Sequence, residues 1–259
     1  MPDASAIRPS TDPAPGPALR CRGVRLGLAG RPILDGIDLD AASGAFVAIL
    51  GPSGCGKSTL LRVLAGLQPA DAGDIAPPPR VGAAALMPQA DCLLPWLRLV
   101  DNVALGPGLA RRPGALALAA EGLRQVGLAD FARSYPAALS GGMRQRAALL
   151  RTVLGGPRLL LLDEPFGALD SLTRLDLQDW LERLWLGGGR PSVVLVTHDV
   201  GEAVRLADAV VVLSPRPARV VAAVAVPGPR PRPAHFRTSP TATALQADLL
   251  GALGVGGGA

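Results

Sequence analysis

The sequence predicts an α/β fold with a mostly parallel sheet core, an antiparallel β subdomain at one edge and an inserted helical subdomain. Three observations predict it. Short apolar runs of strand length recur at residues 46–50, 159–163, 193–197 and 209–213, separated by helical stretches near 57–65, 171–186 and 200–207. Strands that alternate with helices imply parallel pairing. Two further strand-like runs, 19–26 and 33–39, are joined by a Gly-containing turn and belong at an edge. Between residues 91 and 154 the character turns helical, with Ala- and Leu-rich segments broken at Pro113, Gly127 and Pro136.

Taken in order, residues 1–18 hold five prolines and almost no apolar periodicity, and are expected to be a disordered leader. Residues 19–222 form the expected domain, with a further strand at 81–87 and the helical insertion at about 91–155. Residues 223–259 are expected to be a tail, proline-rich and basic at 226–240 and glycine-rich at the end. A short helix is expected from Thr241.

Apolar residues make up 49% of the 259 and aromatics 3%, so a sizeable core must be built from Leu, Val and Ala. The longest apolar runs are far too short to span a bilayer. The start, Met1-Pro-Asp-Ala-Ser5, lacks a basic stretch followed by an apolar run, which argues for a cytoplasmic protein. Net charge is +5, but the arginines are scattered, with a local cluster at Arg230-Pro-Arg232. Aromatics do not interleave with basic residues, so no nucleic-acid partner is expected. Cys21, Cys55 and Cys92 form no CxxC pair and read as reduced thiols. Of the 26 basic residues, 25 are arginine and one is lysine, Lys57. A position that refuses a guanidinium suits a tight anion-binding loop, where a compact ammonium fits and a broad fork does not.

That lysine lies in Gly51-Pro52-Ser53-Gly54-Cys55-Gly56-Lys57-Ser58, which fits the pattern G-x-x-x-x-G-K-[ST] and is followed by Thr59. A buried strand precedes it and a helix follows. The glycines let backbone N–H groups turn inward around phosphate oxygens, and the helix N-terminus favours an anion. Lys57 reaches the β- and γ-phosphates, and Ser58 is a ligand for Mg²⁺. Downstream, Leu159-Leu-Leu-Leu-Asp163-Glu164 is an apolar strand ending in two carboxylates. Alone this signal is weak. Beside a phosphate loop it divides the labour: Asp163 holds Mg²⁺ through its water shell, and Glu164 orients and deprotonates the attacking water.

Further residues complete a pattern. Leu139-Ser140-Gly141-Gly142-Met143, followed by Arg144-Gln-Arg146, resembles the signature of ATP-binding-cassette ATPases. So do Gln89 after a strand, Gly167-Ala-Leu-Asp170 past the acidic pair, and His198 in Val196-Thr-His-Asp199. The order matches the family's, over roughly residues 19–220. The resemblance implies a P-loop NTPase of cassette type that binds ATP and Mg²⁺ in a head-to-tail dimer. It implies that Ser140, Gly141 and Gly142 of one copy cap the γ-phosphate held by the other. It implies that Gln89 contacts Mg²⁺ and the attacking water, that His198 contacts the γ-phosphate, and that Asp170 couples the two sites at the dimer interface. The partners implied are a second copy, transmembrane permease subunits and, indirectly, an extracytoplasmic solute-binding protein. The implied place is the cytoplasmic face of the inner membrane.

One departure is plain. Where the family has an adenine-stacking aromatic, this chain has Leu26-Gly-Leu28-Ala-Gly30. Leu28 offers apolar contact without stacking, a loss of about 1 kcal/mol. The segment from Asp71 to Arg80 is also short and proline-rich. Gln89-Ala-Asp-Cys-Leu-Leu-Pro-Trp96, Asp101-Asn-Val-Ala-Leu105 and Ser214-Pro-Arg-Pro217 resemble the branch serving nitrate, sulfonate and taurine importers. Importers of a thiamine pyrimidine precursor share these features. Trp96 fits either a partner's docking point or plain packing. The expected activity is transport-coupled ATP hydrolysis. The alternatives are a soluble cassette acting on nucleic acid and a cassette that binds ATP without turnover.

Overall fold

The computed structural model describes residues 17–78, 84–187 and 190–254. Two sheets organise them. The first is antiparallel, in the order β2-β1-β4, from β1 (Pro17–Leu28), β2 (Arg31–Ala42) and β4 (Ala72–Ala76). The second has six strands in the order β5-β6-β7-β3-β8-β9. Its members are β3 (Phe46–Leu50), β5 (Ala85–Met87), β6 (Leu159–Asp163), β7 (Ser192–Val196), β8 (Ala209–Leu213) and β9 (Val220–Ala225). All neighbours pair in parallel except β8 and β9, which run antiparallel.

The central strands are buried on both faces, which is why they read as continuous apolar runs rather than alternating ones. Their side chains still alternate between two cores. Phe46, Ala48 and Leu50 of β3, with Leu160 and Leu162 of β6, join the core beneath the helical subdomain. Val47 and Ile49, with Leu159 and Leu161, join the core shared with α1 (Lys57–Leu64) and the antiparallel sheet. Helix α1 is thus held between the two sheets, and its Leu60 and Leu61 are fully buried.

The helical subdomain contains α2 (Leu99–Leu109), α3 (Ala115–Gln125) and α4 (Gly141–Leu154). Helices α2 and α4 cross closely at Gly106, where the Arg151 carbonyl leaves no room for a β-carbon. Beyond it lie α5 (Ser171–Gly187), α6 (Val200–Leu206) and α7 (Pro240–Ala252). No helix of the described residues is long and apolar enough to cross a membrane.

Three features differ from the sequence reading. Strand β4, with its sequence AGDIA, carries almost no apolar signal and exists because it pairs with β1. Strand β9 is an alternating, Ala-diluted edge. The expected strand at 81–87 is Ala85–Met87, and its residues 81–83 lie outside the described residues, as do 1–16 of the leader and the glycine-rich end from 255.

The proline- and arginine-rich segment after β9, read as a tail, is packed into the domain. Glu182 of α5, 2% exposed, accepts from Arg205 at 2.6 Å, from Arg230 at 2.9 Å and from the Arg232 N–H at 3.1 Å. The Arg232 guanidinium donates to the carbonyls of Val204, Arg205 and Ala207 at the end of α6, and to that of Val226. Those α6 carbonyls have no partner within their own helix, so the arginine caps it. Burial, with the neighbouring Arg230 charge, brings the Arg232 pKa down to about 10, still protonated at neutral pH. The Arg230-Pro-Arg232 cluster is therefore spent internally.

Candidate nucleotide site

Strand β3 ends at Leu50 in the middle of the sheet, and the chain turns through residues 51–56 into α1. The turn needs glycine at Gly56, which has φ of 128°. A β-carbon there would also stand 3.0 Å from Ile33 Cγ2 and 3.1 Å from Leu34 Cδ2. The loop therefore rests directly on β2. Lys57, buried, donates from Nζ to the carbonyls of Gly51 at 2.7 Å and Pro52 at 2.9 Å, which holds the ammonium inside the loop. Cys55 is buried within the same turn.

The C-terminal ends of β5, β6 and β7 bring the other groups together, at the edge where parallel sheets bind ligands. Asp163, 5% exposed, closes β6. Burial raises its carboxyl pKa, opposed by a hydrogen bond from Ser58 and by the charges of Lys57 and Arg62, and reinforced by the neighbouring Glu164 charge. Glu164 follows with φ of 49°, its N–H donating to the Val196 carbonyl at 2.9 Å. That turn aims its side chain across the strand ends. Glu164 Oε2 lies 3.4 Å from Gln89 Nε2, two residues beyond β5, and 3.4 Å from His198 Nδ1, two residues beyond β7.

His198 is largely exposed, but its backbone is braced. Thr197 Oγ1 donates to Glu202 at 2.6 Å and accepts from the Asp199 N–H at 3.0 Å. Asp199 in turn caps α6 by accepting from the Glu202 N–H at 3.0 Å. Burial pushes the Glu202 carboxyl pKa upward against the Thr197 hydrogen bond and the Arg174 charge.

Ser140 caps α4, its Oγ accepting from the Met143 N–H at 3.2 Å, and presents an exposed helix start with Gly141. Asp170 caps α5 through the Thr173 N–H at 3.0 Å, a bond that lowers its pKa. Among the described residues, no hydrogen bond or ion pair joins Ser140, Gly141, Gly142 or Asp170 to the phosphate loop of the same chain. The structure thus assembles Gln89, Glu164 and His198 on one edge, and leaves the signature and Asp170 facing outward.

Two residues without an assigned role in the sequence reading stand out. Gln145, in the quoted Arg144-Gln-Arg146, is 6% exposed and clasps the single loop between β6 and α5 at two points. It donates to the Glu164 carbonyl at 2.8 Å and accepts from the Ala168 N–H at 2.7 Å. Arg174 spans Asp199, Glu202 and the Leu169 carbonyl. A buried polar residue on an otherwise apolar helix face was the available signal for Gln145.

The donor set fits Mg²⁺. Ser58 and Asp163 place a hydroxyl and a carboxylate together, both hard oxygen donors. No group of three or more His, Cys, Asp or Glu among the described residues could hold a metal ion by itself. A cation bound by one or two protein oxygens plus substrate phosphates is the usual Mg²⁺ arrangement.

A buried lysine in a glycine-rich turn at the head of a helix, opposite an acidic strand end, defines a P-loop nucleotide-hydrolysing domain. Comparison with known proteins narrows it. The family model described as ABC transporter matches residues 34–167. The aliphatic sulfonates import ATP-binding protein SsuB 2 of Xanthomonas axonopodis pv. citri is 48% identical, over 96% of this chain and 84% of the relative. SsuB of Ralstonia nicotianae is 53% identical, over 78% and 71% respectively. Among solved structures, a dimeric post-hydrolysis state of the ATP-binding cassette MJ0796 bound to ADP and Pi superposes with a TM-score of 0.71 at 26% identity, covering 81% of this chain and 99% of that one. The chain belongs to the ABC transporter family, as an importer's ATP-binding and ATP-hydrolysing subunit.

Proposed function

We propose that two copies of this chain, head to tail, drive uptake of an aliphatic sulfonate or a similar small anion through a permease at the cytoplasmic face of the inner membrane. The anion would be delivered by an extracytoplasmic solute-binding protein. The observation that carries the hydrolytic part is the position of Glu164 Oε2 between Gln89 and His198. The substrate class rests on the names of relatives at 48–53% identity.

The loop N–H groups from Gly51 to Thr59 and the Lys57 ammonium hold the ATP phosphates. Ser58, Asp163 and Gln89 would hold Mg²⁺, which when bound neutralises charge on the phosphate oxygens. Glu164 accepts a proton from the attacking water, a role that contributes on the order of 10²- to 10⁴-fold. Gln89 orients that water and His198 bonds the γ-phosphate. Ser140, Gly141 and Gly142 of the second copy donate from a helix start to the same phosphate, where a helix N-terminus favours an anion. Asp170, beside them, links the two sites. Trp96 is 70% exposed, which supports the docking reading of that residue over plain packing.

The test is uptake by the reconstituted complex in vesicles. ATP-dependent accumulation of an alkanesulfonate, with faster ATP turnover when its binding protein is added, supports the proposal. Stimulation by a thiamine pyrimidine precursor instead, with none by sulfonates, contradicts the substrate class.

A further inference from the structure

The loop from Ser214 to Arg219, between β8 and β9, includes the Ser214-Pro-Arg-Pro217 run, which has no part in the hydrolytic chemistry above. It makes a direct contact with the phosphate loop: Arg216 Nη2 donates to the Gly54 carbonyl at 2.6 Å. Gly54 has φ of 74° and sits at the apex of the turn.

The loop that carries Arg216 is fixed at both ends. Ser214 Oγ donates to the Pro215 carbonyl at 2.8 Å, with the Pro217 carbonyl at 3.2 Å as the alternative acceptor, and accepts from the Arg219 N–H at 3.0 Å, which closes the loop on itself. Ala218 donates to the Ile33 carbonyl at 2.8 Å and accepts from the Asp35 N–H at 2.9 Å. Arg219 pairs with Asp35, whose carboxyl it holds below the usual range. Ile33 and Leu34 are the residues that back Gly56. The phosphate loop is therefore gripped on two sides. The β2 strand supports its base, and an arginine fastened to that same strand holds its apex.

We propose that Arg216 is a positioning residue for ATP binding, fixing the Gly54 peptide so that the loop N–H groups converge on phosphate before the nucleotide arrives. Its cation also raises the local positive potential, which favours a polyanion. Pre-ordering a loop improves affinity by removing an ordering cost from the binding step. The effect falls on ATP affinity and not on the chemical step, because Arg216 bonds the phosphate loop, whereas Glu164 pairs with Gln89 and His198. This inference rests on the reading of residues 51–59 as the ATP-phosphate loop.

The experiment compares wild type, Arg216→Ala, Arg216→Lys and Lys57→Ala by titration with a fluorescent ATP analogue, by steady-state hydrolysis and by nucleotide-free thermal melting. The expected result is a rise of about three- to tenfold in Kd and KM for Arg216→Ala with kcat unchanged, the size of one charge-assisted but exposed hydrogen bond. Arg216→Lys, which keeps one donor, should fall between. Equal affinity of Arg216→Ala and wild type overturns the inference, as does a weakening matched by a fall in the nucleotide-free melting temperature. A wild-type protein that binds no analogue, or a Lys57→Ala variant that binds as well as wild type, overturns the phosphate-loop reading itself.

Discussion

The side-chain amide of Gln145 donates to the backbone carbonyl of Glu164 at 2.8 Å, which joins the helix behind the signature to the residue placed as the general base. The other end of the same side chain accepts from the Ala168 N–H, in the loop that leads to Asp170. One buried glutamine thus sets the geometry of three functional segments.

Gln145→Leu should keep the volume and lose both bonds. The Ala168 N–H would then lack a partner, at a cost of about 1–3 kcal/mol if it stays buried, and the Glu164 carbonyl would keep only the Gly167 N–H at 3.2 Å. The expected outcome is a kcat lowered about tenfold or more with KM for ATP little changed, because Glu164 loses its orientation while the phosphate loop keeps its own. Steady-state kinetics on the folded variant check this.

Gly56→Ala should act on binding. Its φ of 128° suits glycine, and a β-carbon would press on Ile33 and Leu34. Backbone strain of this kind costs about 1–3 kcal/mol. ATP affinity should fall by about tenfold or more, read by titration with a nucleotide analogue.

Glu182 ties the C-terminal segment to α5. Its burial alone would raise its pKa, but the hydrogen bonds from Arg205, Arg230 and the Arg232 N–H outweigh that, and the net pKa is lowered. A lowered carboxyl contributes stability that is present above the unfolded value, about 4.3, and is lost as pH falls through the folded value. Wild type should therefore lose stability on acidification below about pH 4. Glu182→Gln should be less stable at pH 7, by about 3–5 kcal/mol for breaking a buried pair, and lose less further on acidification. Denaturant melts between neutral pH and pH 3 measure both.

Trp96 sits on a loop built by Asn102, which is fully buried and bonds the backbone of Leu94, Leu97 and Arg98. Trp96→Ala removes an exposed ring and should change stability by no more than about 0.5 kcal/mol. It should weaken recovery of the chain with its permease in membranes. Co-sedimentation with permease-containing vesicles checks it, and undiminished recovery would remove Trp96 from the partner surface.

What was legible in the sequence follows from how local each feature is. The phosphate loop, the strand ending in Asp163-Glu164 and the helix start at Ser140 are each set by a few consecutive residues; the loop shows its chemistry alone, and the other two show theirs beside it. The central strands were legible because burial on both faces forces unbroken apolar runs such as 159–162. Strand β4 was not, because its order comes from pairing with β1 and not from its own side chains. Arg230 and Arg232 read as a solvated basic tail, since nothing nearby in sequence announces Glu182, about fifty residues away, as their buried partner. The partners of Gln145 and Arg216 were hidden for the same reason: each side chain bonds backbone groups distant in sequence, and a backbone group leaves no mark in a sequence.

The measurement that tests the central claim most directly is ATP turnover and association state of Glu164→Gln, by hydrolysis assay and size-exclusion chromatography with and without ATP. Turnover should fall by about a hundredfold or more, the scale of a lost general base. ATP should hold two copies together, and a bulky residue at Ser140 should release them. A Glu164→Gln protein that hydrolyses ATP at the wild-type rate would mean that the carboxylate between Gln89 and His198 is not the base.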